Sequence, residues 1–301
     1  MTIDVAGQES QPPRLRPAAQ PGSEARRARR ESFRQLAHSK TLIVGLTMVG
    51  FWVFWALVGG RLTPEDPLEQ SDVVLGPPTG EHWFGTDQLG RDILSRVLAG
   101  ASDTLEVAPL ATLLGIVGGT AVGLVTGYFG GLVDDVVSRV IDAVLALPLI
   151  VIAVTALAAL GSSNWTLIAV IGVVFTPIVA RTVRAAVLGE RELDYVQAAR
   201  LRGERGPYIM FREILPNVMG PIVVEATVRL GYAIFAVAGL TFLGFGVQPP
   251  SPDWSLQISD NYNLLPSGTY WWTVLFPSLA IATLVVGVNL VADGLQQVFD
   301  R

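Results

Sequence analysis

Six long apolar stretches restrict what this chain can fold into more than any other feature of its sequence. They cover residues 41–60, 104–127, 140–160, 165–183, 218–246 and 273–292. A helix of about 20 apolar residues crosses the hydrocarbon core of a bilayer, and each stretch is of that order of length. The chain is 50% hydrophobic and only 16% charged, which is typical of membrane proteins. We therefore predict an all-α membrane protein with six transmembrane helices.

The basic residues are unevenly distributed and predict an orientation. Residues 1–40 combine clustered arginines with little apolar surface, which predicts a largely disordered, basic tail. A twin-arginine signal is the alternative, but the apolar run that follows is long and no small-residue cleavage site closes it. Of the 21 Lys and Arg residues, only Arg61, Arg91 and Arg96 fall in predicted external loops. The positive-inside rule therefore places both termini in the cytoplasm.

This orientation divides the chain into parts with different surroundings. After the cytoplasmic tail and the first span, residues 61–103 form an external loop. Residues 104–300 form a core domain with five transmembrane helices and a cytoplasmic loop at 186–217. A further external stretch, residues 247–272, holds five aromatic residues and no Lys or Arg. We assign Trp271 and Trp272 to the aromatic belt at the membrane interface. For Trp254 and Tyr262 two assignments remain: the same belt, or a surface that contacts an external protein.

Several kinds of site are excluded by residues that the chain lacks. There is no Cys, and therefore neither a disulfide nor a cysteine metal site. His38 and His82 lie far apart in sequence and form no metal motif, so no metal site is predicted. Lys40 is the only lysine and follows Ser39 rather than Gly, which excludes a Walker A nucleotide site. No catalytic motif is present, and we expect no enzyme activity, no cofactor and no nucleic-acid partner for this chain.

Small residues and proline inside the predicted spans indicate how the helices are arranged. Four glycines recur at every fourth position of the second span: Gly115, Gly119, Gly123 and Gly127. Small residues let membrane helices approach closely, so we predict that this face contacts another helix of the same chain. Pro148 is expected to kink the third span, because proline removes a backbone hydrogen bond.

Charged residues at the ends of the spans are expected to pair. Asp142 lies near the start of the third span, where a charged group needs a partner, and we predict pairing with Arg139 or another arginine; contact with the solute is the alternative. Glu225 and Arg229 are four residues apart in the fifth span and are predicted to pair on one helix face.

The cytoplasmic loop contains a charged stretch, YVQAARLRGERGPYIMFREILPN, at residues 195–217. Gly203 and Gly206 are expected to end one short helix, and Pro207 suits the first turn of a second. Apolar residues at helical spacing follow in that second helix: Tyr208, Phe211, Ile214 and Leu215. Pro216 is expected to end it, and Asn217 to cap the next span.

Three small residues, Ala198, Ala199 and Gly203, are expected to form a flat surface that another protein's backbone can approach. An amphipathic connector resting on the lipid headgroups is the alternative. The Ala-Ala pair, the downstream glycine and the Ile-Leu-Pro-Asn ending resemble the "EAA" loop of ABC importer permeases. In that family the loop is the coupling helix, which docks into a groove of a separate ATPase subunit. The resemblance assigns ATPase coupling to Tyr195, Gln197, Ala198, Ala199, Gly203, Ile214, Leu215 and Pro216. Gln197 stands where the family usually has Glu, and it lacks the charge for a salt bridge.

A second motif, FGTDQLGRD at residues 84–92, precedes the second span. By itself it predicts a surface loop in which two glycines form turns and charged residues brace them. The string resembles the C-type permease subunit of dipeptide and oligopeptide ABC importers, and the resemblance covers roughly residues 80–300. The external signature consists of Gly85, Thr86, Asp87, Gly90, Arg91 and Asp92. One departure is Val237, which stands where the family often has Glu.

This resemblance implies the type I ABC importer permease fold in a bacterial cell membrane, with three kinds of protein partner. These are a sister B-type permease, two ATPase subunits (or a fused one) that bind ATP and Mg²⁺, and an external solute-binding protein. Peptides are the implied cargo, although nickel and glutathione importers have similar subunits. A secondary transporter or channel that works without ATP is the alternative from another class. It is less favoured because the two halves show no internal repeat and the charges lie at helix ends.

Overall fold

The computed structural model describes residues 39–299, and within this range the chain is mainly α-helical. The predicted tail therefore lies outside the described residues, except for its last two positions. The helices are, in chain order, α1 Lys40–Leu62, α2 Ile93–Ala99, α3 Ala101–Phe129, α4 Gly131–Leu145, α5 Leu149–Leu160, α6 Asn164–Glu190, α7 Asp194–Leu201, α8 Gly206–Tyr208, α9 Leu215–Asn217, α10 Met219–Phe242, α11 Trp254–Asn261 and α12 Trp272–Phe299. A π-helix, Ile209–Ile214, joins α8 to α9, and a 3₁₀-helix, Tyr262–Ser267, follows α11.

Within residues 39–299, five helical segments are long and apolar enough to cross a membrane. They are α1, the combined α2–α3 segment Ile93–Phe129, α6, α10 and α12. The predicted all-α membrane fold is thereby confirmed, with one exception in the third span. Residues 140–160 are not one helix, because α4 and α5 meet at an angle of 85°. Pro148 lies at this break and immediately precedes α5, where its fixed φ and missing N–H suit a helix start but not a helix interior.

The break leaves α5 short for a membrane span. Its 12 residues extend roughly 18 Å at the usual helical rise, whereas a bilayer core is about 30 Å thick. The stretch before it, predicted as a loop, is helical from Gly131 onward. Asp142 pairs with Arg181 of α6, so its partner is another arginine rather than Arg139. Asp134 also pairs with α6, with Arg184 Nη2 lying 2.6 Å from its Oδ2. These two pairs hold α4 against the end of α6.

The glycine face of α3 lies along α6 in a parallel arrangement. A Cβ added at Gly115 would lie 2.9 Å from Cβ of Phe175, and one added at Gly127 would lie 2.7 Å from Cβ of Val187. Gly119 and Gly123 face the intervening turns of α6. Because contacts advance together along both helices, the C-terminal ends of α3 and α6 lie side by side. Side chains larger than hydrogen would separate the two backbones.

Helices α1 and α12 pack in the opposite sense. Leu42 at the start of α1 contacts Gly294, while Trp52 donates a hydrogen bond of 3.1 Å to Thr283 Oγ1. The end of α1 reaches the end of α2, just before α3 begins, where a Cβ on Gly59 would lie 3.1 Å from the carbonyl oxygen of Leu98. The start of α1, the end of α12 and residues 194–217 therefore lie at one end of the bundle. Residues 63–92 and α11 lie at the other.

Two predicted loops are more ordered than the sequence indicated. Residues 93–99 and 101–103 are helical, and Asp92 caps α2 by accepting a hydrogen bond of 2.7 Å from Ser95 N. The stretch 247–272 contains α11 and the 3₁₀-helix instead of being a simple loop. Trp254 is fully buried and donates to the carbonyl oxygen of Val97 over 2.7 Å. Within the folded chain, Trp254 therefore has no exposed surface with which to contact an external protein.

The assignment of Trp272 to the aromatic belt is wrong. Its side chain is only 5% exposed and belongs to the hydrophobic core, and its indole N–H donates to the carbonyl oxygen of Thr86. Trp271 is 46% exposed, as a belt residue would be, and Tyr262 is also exposed. The difference arises because helix α12 begins at Trp272 and turns successive side chains to different faces.

Candidate functional site

Residues 194–217 form the two short helical segments that their sequence predicts. Helix α7 ends before Gly203, whose φ of +77° is a conformation that favours glycine. Glu204 N donates to the carbonyl oxygen of Ala199 over 3.2 Å and closes this end. Pro207 lies in the first turn of the second segment, where its missing N–H costs no helical bond. The π-helical geometry of that segment was not anticipated.

One face of this segment is buried against the bundle. Val196, Ala199, Ile209 and Ile214 are each no more than 1% exposed. They share a hydrophobic cluster with residues of α3 and α6, including Leu124, Val183 and Val187. Because a close-packed apolar cluster resists deformation, we expect residues 194–217 to move together with the ends of α3 and α6.

A short polar network closes the segment at its two ends. Tyr195 donates a hydrogen bond of 2.6 Å to Glu190 Oε1 and accepts one of 3.1 Å from Asn217 Nδ2. Burial, together with the hydrogen bond to Glu190, raises the pKa of Tyr195 to about 12, so its hydroxyl remains protonated at neutral pH. Asn217 also donates to the carbonyl oxygen of Glu213 over 2.8 Å. Its predicted role as the cap of the next span is wrong, because Val218 precedes α10 and no side chain caps it.

Gln197 is half-buried and faces its own chain. Its Nε2 lies 3.5 Å from the carbonyl oxygen of Arg191, and Arg191 in turn donates to the carbonyl oxygen of Gly127 over 2.9 Å. The side chain therefore lies near the junction of α3, α6 and α7. Leu215 is half-buried beside the cluster, whereas Pro216 is exposed.

The opposite face is exposed, and its composition differs from the sequence prediction. Ala198 and Gly203 are open to the surroundings, but Ala199 is fully buried within the chain and cannot contact a partner. Leu201, 90% exposed, lies three residues after Ala198 and shares its side of α7. Leu201 was not predicted as a contact residue, because the prediction of a flat contact surface considered only the small residues. The available signal was a large apolar residue, Leu201, at the end of a short helix that is otherwise largely polar.

The predicted apolar stripe of the second segment is also divided between two faces. Tyr208 and Phe211 are 45% and 58% exposed, whereas Ile214 is fully buried. The small and apolar residues that this segment exposes include Ala198, Leu201, Gly203, Tyr208 and Phe211, which we call the outer face. It combines two small residues with three large apolar ones. Exposed apolar groups of this kind mark protein or membrane contacts.

The external signature lies at the other end of the bundle and is stabilised by hydrogen bonds between its own residues. Gly85 and Gly90 have φ of +77° and +74°, as tight turns require. Asp87 accepts hydrogen bonds from Leu89 N at 2.8 Å and from the Arg91 backbone and Nε at 3.0 and 2.7 Å. Thr86, Asp87, Arg91 and Asp92 are all buried. The loop is a folded support for helices α2 and α12 rather than an exposed recognition loop.

Comparison with known proteins places this architecture in a family. Residues 119–301 match the family model of the binding-protein-dependent transport system inner membrane component. This match covers more than half of the chain and includes the 194–217 segment. The chain belongs to this family. The resemblance inferred from the two motifs is thereby confirmed.

Several members of the binding-protein-dependent transport family align along nearly the whole chain. The dipeptide transport system permease protein DppC of Alkalihalophilus pseudofirmus is 39% identical over 272 residues, covering 90% of this chain and 89% of the relative. The DppC protein of Escherichia coli is 39% identical over 277 residues, covering 90% and 92%. The di/tripeptide permease DppC of Pseudomonas aeruginosa is 36% identical over 278 residues, covering 90% and 91%.

Membership in the binding-protein-dependent transport family identifies the chain as an inner membrane transport component that works with ATPase and binding-protein partners. Its five apolar helices and one broken pair are consistent with a multi-pass membrane protein. Within this family, the outer face of residues 194–217 is a candidate contact surface for a partner.

Proposed function

We propose that this chain is a translocation subunit of an ATP-driven importer that carries di- or oligopeptides into the cytoplasm. The observation that carries the proposal is the 194–217 segment, which combines an exposed apolar outer face with an inner face embedded in α3 and α6. The cargo assignment is supported by the relatives, which are named as dipeptide or di/tripeptide transport permeases. The chain pairs with a sister permease, and the solute crosses between the two.

The outer face docks into a groove of an ATPase subunit. Leu201, Tyr208 and Phe211 supply apolar area, and Ala198 and Gly203 leave room for the partner's backbone. Burial of exposed apolar area stabilises such a contact by about 25 cal/mol per Å². When two ATPases close on ATP and Mg²⁺, the segment moves with the ends of α3 and α6 and tilts the spans. Alternating access of the solute path follows from this tilt.

The direction of transport follows from the proposed orientation. The described chain ends and the 194–217 segment lie at the same end of the bundle, and the basic residues favour the cytoplasm for that end. The opposite end, with the external signature and α11, then faces the solute-binding protein. Tyr262 is exposed there and is available for this contact.

Reconstitution tests this function and separates cargo from energy source. The chain is assembled with its sister permease, ATPases and binding protein in lipid vesicles, and the uptake of labelled dipeptide, oligopeptide, Ni²⁺ and glutathione is measured with and without ATP. We expect ATP-dependent uptake of peptides. Uptake of Ni²⁺ or glutathione without peptide uptake would overturn the assignment of peptides as the cargo. Uptake that is independent of ATP would overturn the assignment as an ATP-driven importer.

A further inference from the structure

Three potential metal ligands from separate segments meet beside the start of α2. His82 Nδ1 lies 3.1 Å from Asp92 Oδ1 and 3.4 Å from Glu65 Oε1. One ligand atom of each residue lies within 4.8 Å of those of the other two. Glu65 and Asp92 are 27 positions apart in the sequence, so the cluster exists only in the folded chain.

The protein backbone holds this cluster in place. Asp92 is 3% exposed, and its Oδ2 accepts the capping hydrogen bond from Ser95 N, which leaves Oδ1 directed at the histidine. Ser95 Oγ accepts a hydrogen bond of 3.1 Å from Glu65 N and brings that residue to the same place. The carbonyl oxygen of His82 closes the turn around this residue by accepting hydrogen bonds from Thr79 N and Gly85 N. Such outer contacts orient metal ligands in known sites.

The charges of the cluster are not balanced by protein groups. Among residues 39–299, neither Glu65 nor Asp92 makes an ion pair with any residue other than His82. Both carboxylate oxygens approach the same ring nitrogen, Nδ1. That nitrogen carries at most one proton in any protonation state, so it can serve only one of them with a good hydrogen bond. A cation placed between the three atoms satisfies all of them together.

We propose that Glu65, His82 and Asp92 bind a divalent transition-metal ion, for which Zn²⁺ is the appropriate probe. One imidazole nitrogen with two carboxylate oxygens is a donor set that suits Zn²⁺, whereas Ca²⁺ and Mg²⁺ prefer oxygen ligands alone. Bonds of about 2.0–2.2 Å in a tetrahedral site separate neighbouring ligand atoms by roughly 3.3–3.5 Å. The two nitrogen–oxygen distances require little adjustment to reach this spacing.

The site leaves one coordination position for a water molecule or an external donor. The side chain of Glu65 is 41% exposed and that of His82 is 12% exposed, so the open side of the cluster faces outward past Glu65. The ion ties the segment after α1 to the N-terminus of α2. This role does not depend on the cargo or on the ATPase, and it concerns the end of the bundle remote from residues 194–217.

Metal binding is measured on the full chain, purified in detergent with any bound partner subunits. After equilibration with Zn²⁺ and removal of free ion, elemental analysis should find about one more Zn²⁺ per chain in the wild type than in Glu65→Gln or His82→Asn. Co²⁺ should give visible d–d absorption of a low-coordinate site, which Zn²⁺ abolishes and both variants lack. Zn²⁺ should also raise the unfolding temperature of the wild type alone.

Glu81→Gln is the matched control, since it removes one exposed carboxylate next to His82 without touching the cluster. It should retain the ion. Because Glu65 is the exposed member, Glu65→Gln remains informative even when His82→Asn fails to fold. Equal Zn²⁺ content in the wild type and Glu65→Gln would overturn the proposal. The proposal would also be overturned if the stabilities of the wild type and Glu65→Gln differ in a pH-dependent way that Zn²⁺ does not change, because a simple ion pair gives that result.

Discussion

The backbone of Gly123 lies directly against the side chain of Val183 where α3 runs along α6. A Cβ added at Gly123 would be 2.7 Å from Cβ of Val183 and 2.8 Å from the carbonyl oxygen of Ala180. Neither of these is a flexible side-chain end, so the helices themselves would have to move apart. This close contact joins the two helices that also support residues 194–217.

We predict that Gly123→Ala destabilises the protein by about 1–3 kcal/mol, because it overpacks a contact that cannot relax. Gly123→Leu should be more severe and should reduce the yield of folded protein. Thermal unfolding in detergent provides the measurement. Gly50→Ala is the control, since a Cβ at Gly50 meets nothing within 4 Å. Equal unfolding temperatures for Gly123→Ala, Gly50→Ala and the wild type would show that α3 and α6 are not in this close contact.

The outer face is tested by Leu201→Glu and Ala198→Glu. Both positions are exposed, so the variants should fold normally but lose at least about tenfold in solute uptake, as a lost interface contact of about 1.4 kcal/mol implies. Uptake and stimulated ATPase activity in reconstituted vesicles are measured with subunit stoichiometry. Val74→Glu, at an exposed apolar residue of the other end, should leave the number of bound ATPase subunits unchanged. Wild-type uptake by both outer-face variants with ATPases bound would contradict the docking role.

Ala199→Glu gives a different expected outcome. Ala199 is fully buried in the cluster, so a glutamate there leaves an unpaired carboxylate in an apolar environment at a cost of several kcal/mol. We predict a lower unfolding temperature and loss of folded protein, rather than a stable but uncoupled complex. A stable Ala199→Glu complex that hydrolyses ATP without transport would show that this residue faces a partner. Gly203→Leu is not a clean test of docking, because the positive φ at Gly203 strains any side chain.

Orientation is tested by cysteine labelling, for which the chain without Cys is a suitable background. Ser267 and Ala198 are exposed at opposite ends of the bundle. We predict that a membrane-impermeant thiol reagent labels Ser267→Cys in intact spheroplasts and labels Ala198→Cys only after lysis. The reverse pattern would place residues 194–217 outside the cell and exclude contact with a cytoplasmic ATPase.

The stability of the protein should fall as pH rises through the titration of Asp253. Burial raises the pKa of this carboxyl to about 6, although its Oδ1 accepts hydrogen bonds from Ser255 N and Leu256 N. The folded chain therefore holds the proton more tightly than the unfolded one. The linkage relation gives a loss of stability from about pH 4 to about pH 6, amounting to at most about 3 kcal/mol.

Asp253→Asn retains the capping oxygen and removes the charge. We expect it to be more stable than the wild type at about pH 8, with the difference vanishing near pH 4. Unfolding is followed at several pH values, with Asp72→Asn at an exposed position as the control for a general charge effect. If Asp253→Asn is less stable at every pH, the ionised carboxylate contributes favourably and the direction of the pKa shift is wrong.

Local sequence patterns were sufficient for several features whose physics is local, although the predicted cap at Asn217 is wrong. Apolar length predicted the spans because burial in a bilayer requires it, and the spacing of Glu225 and Arg229 predicted their pairing, observed at 2.6 Å. Gly203 and Pro207 predicted the boundary between two short helices because backbone conformation at these residues is restricted. The resemblance to the family could also be recognised from the sequence, because it depends on short motifs of consecutive residues.

Contacts between distant segments were decided by the tertiary structure. The sequence could not show that Ala199 is buried while its neighbour Ala198 is exposed, because that depends on which face of α7 meets α3 and α6. Burial of Trp272 likewise depends on the position of Thr86, 186 residues away in sequence. Composition and apolar length thus determined a helical membrane protein, and the two motifs indicated its family by resemblance. The outer face and the Glu65–His82–Asp92 cluster arise only when the packing of the helices brings separate segments together.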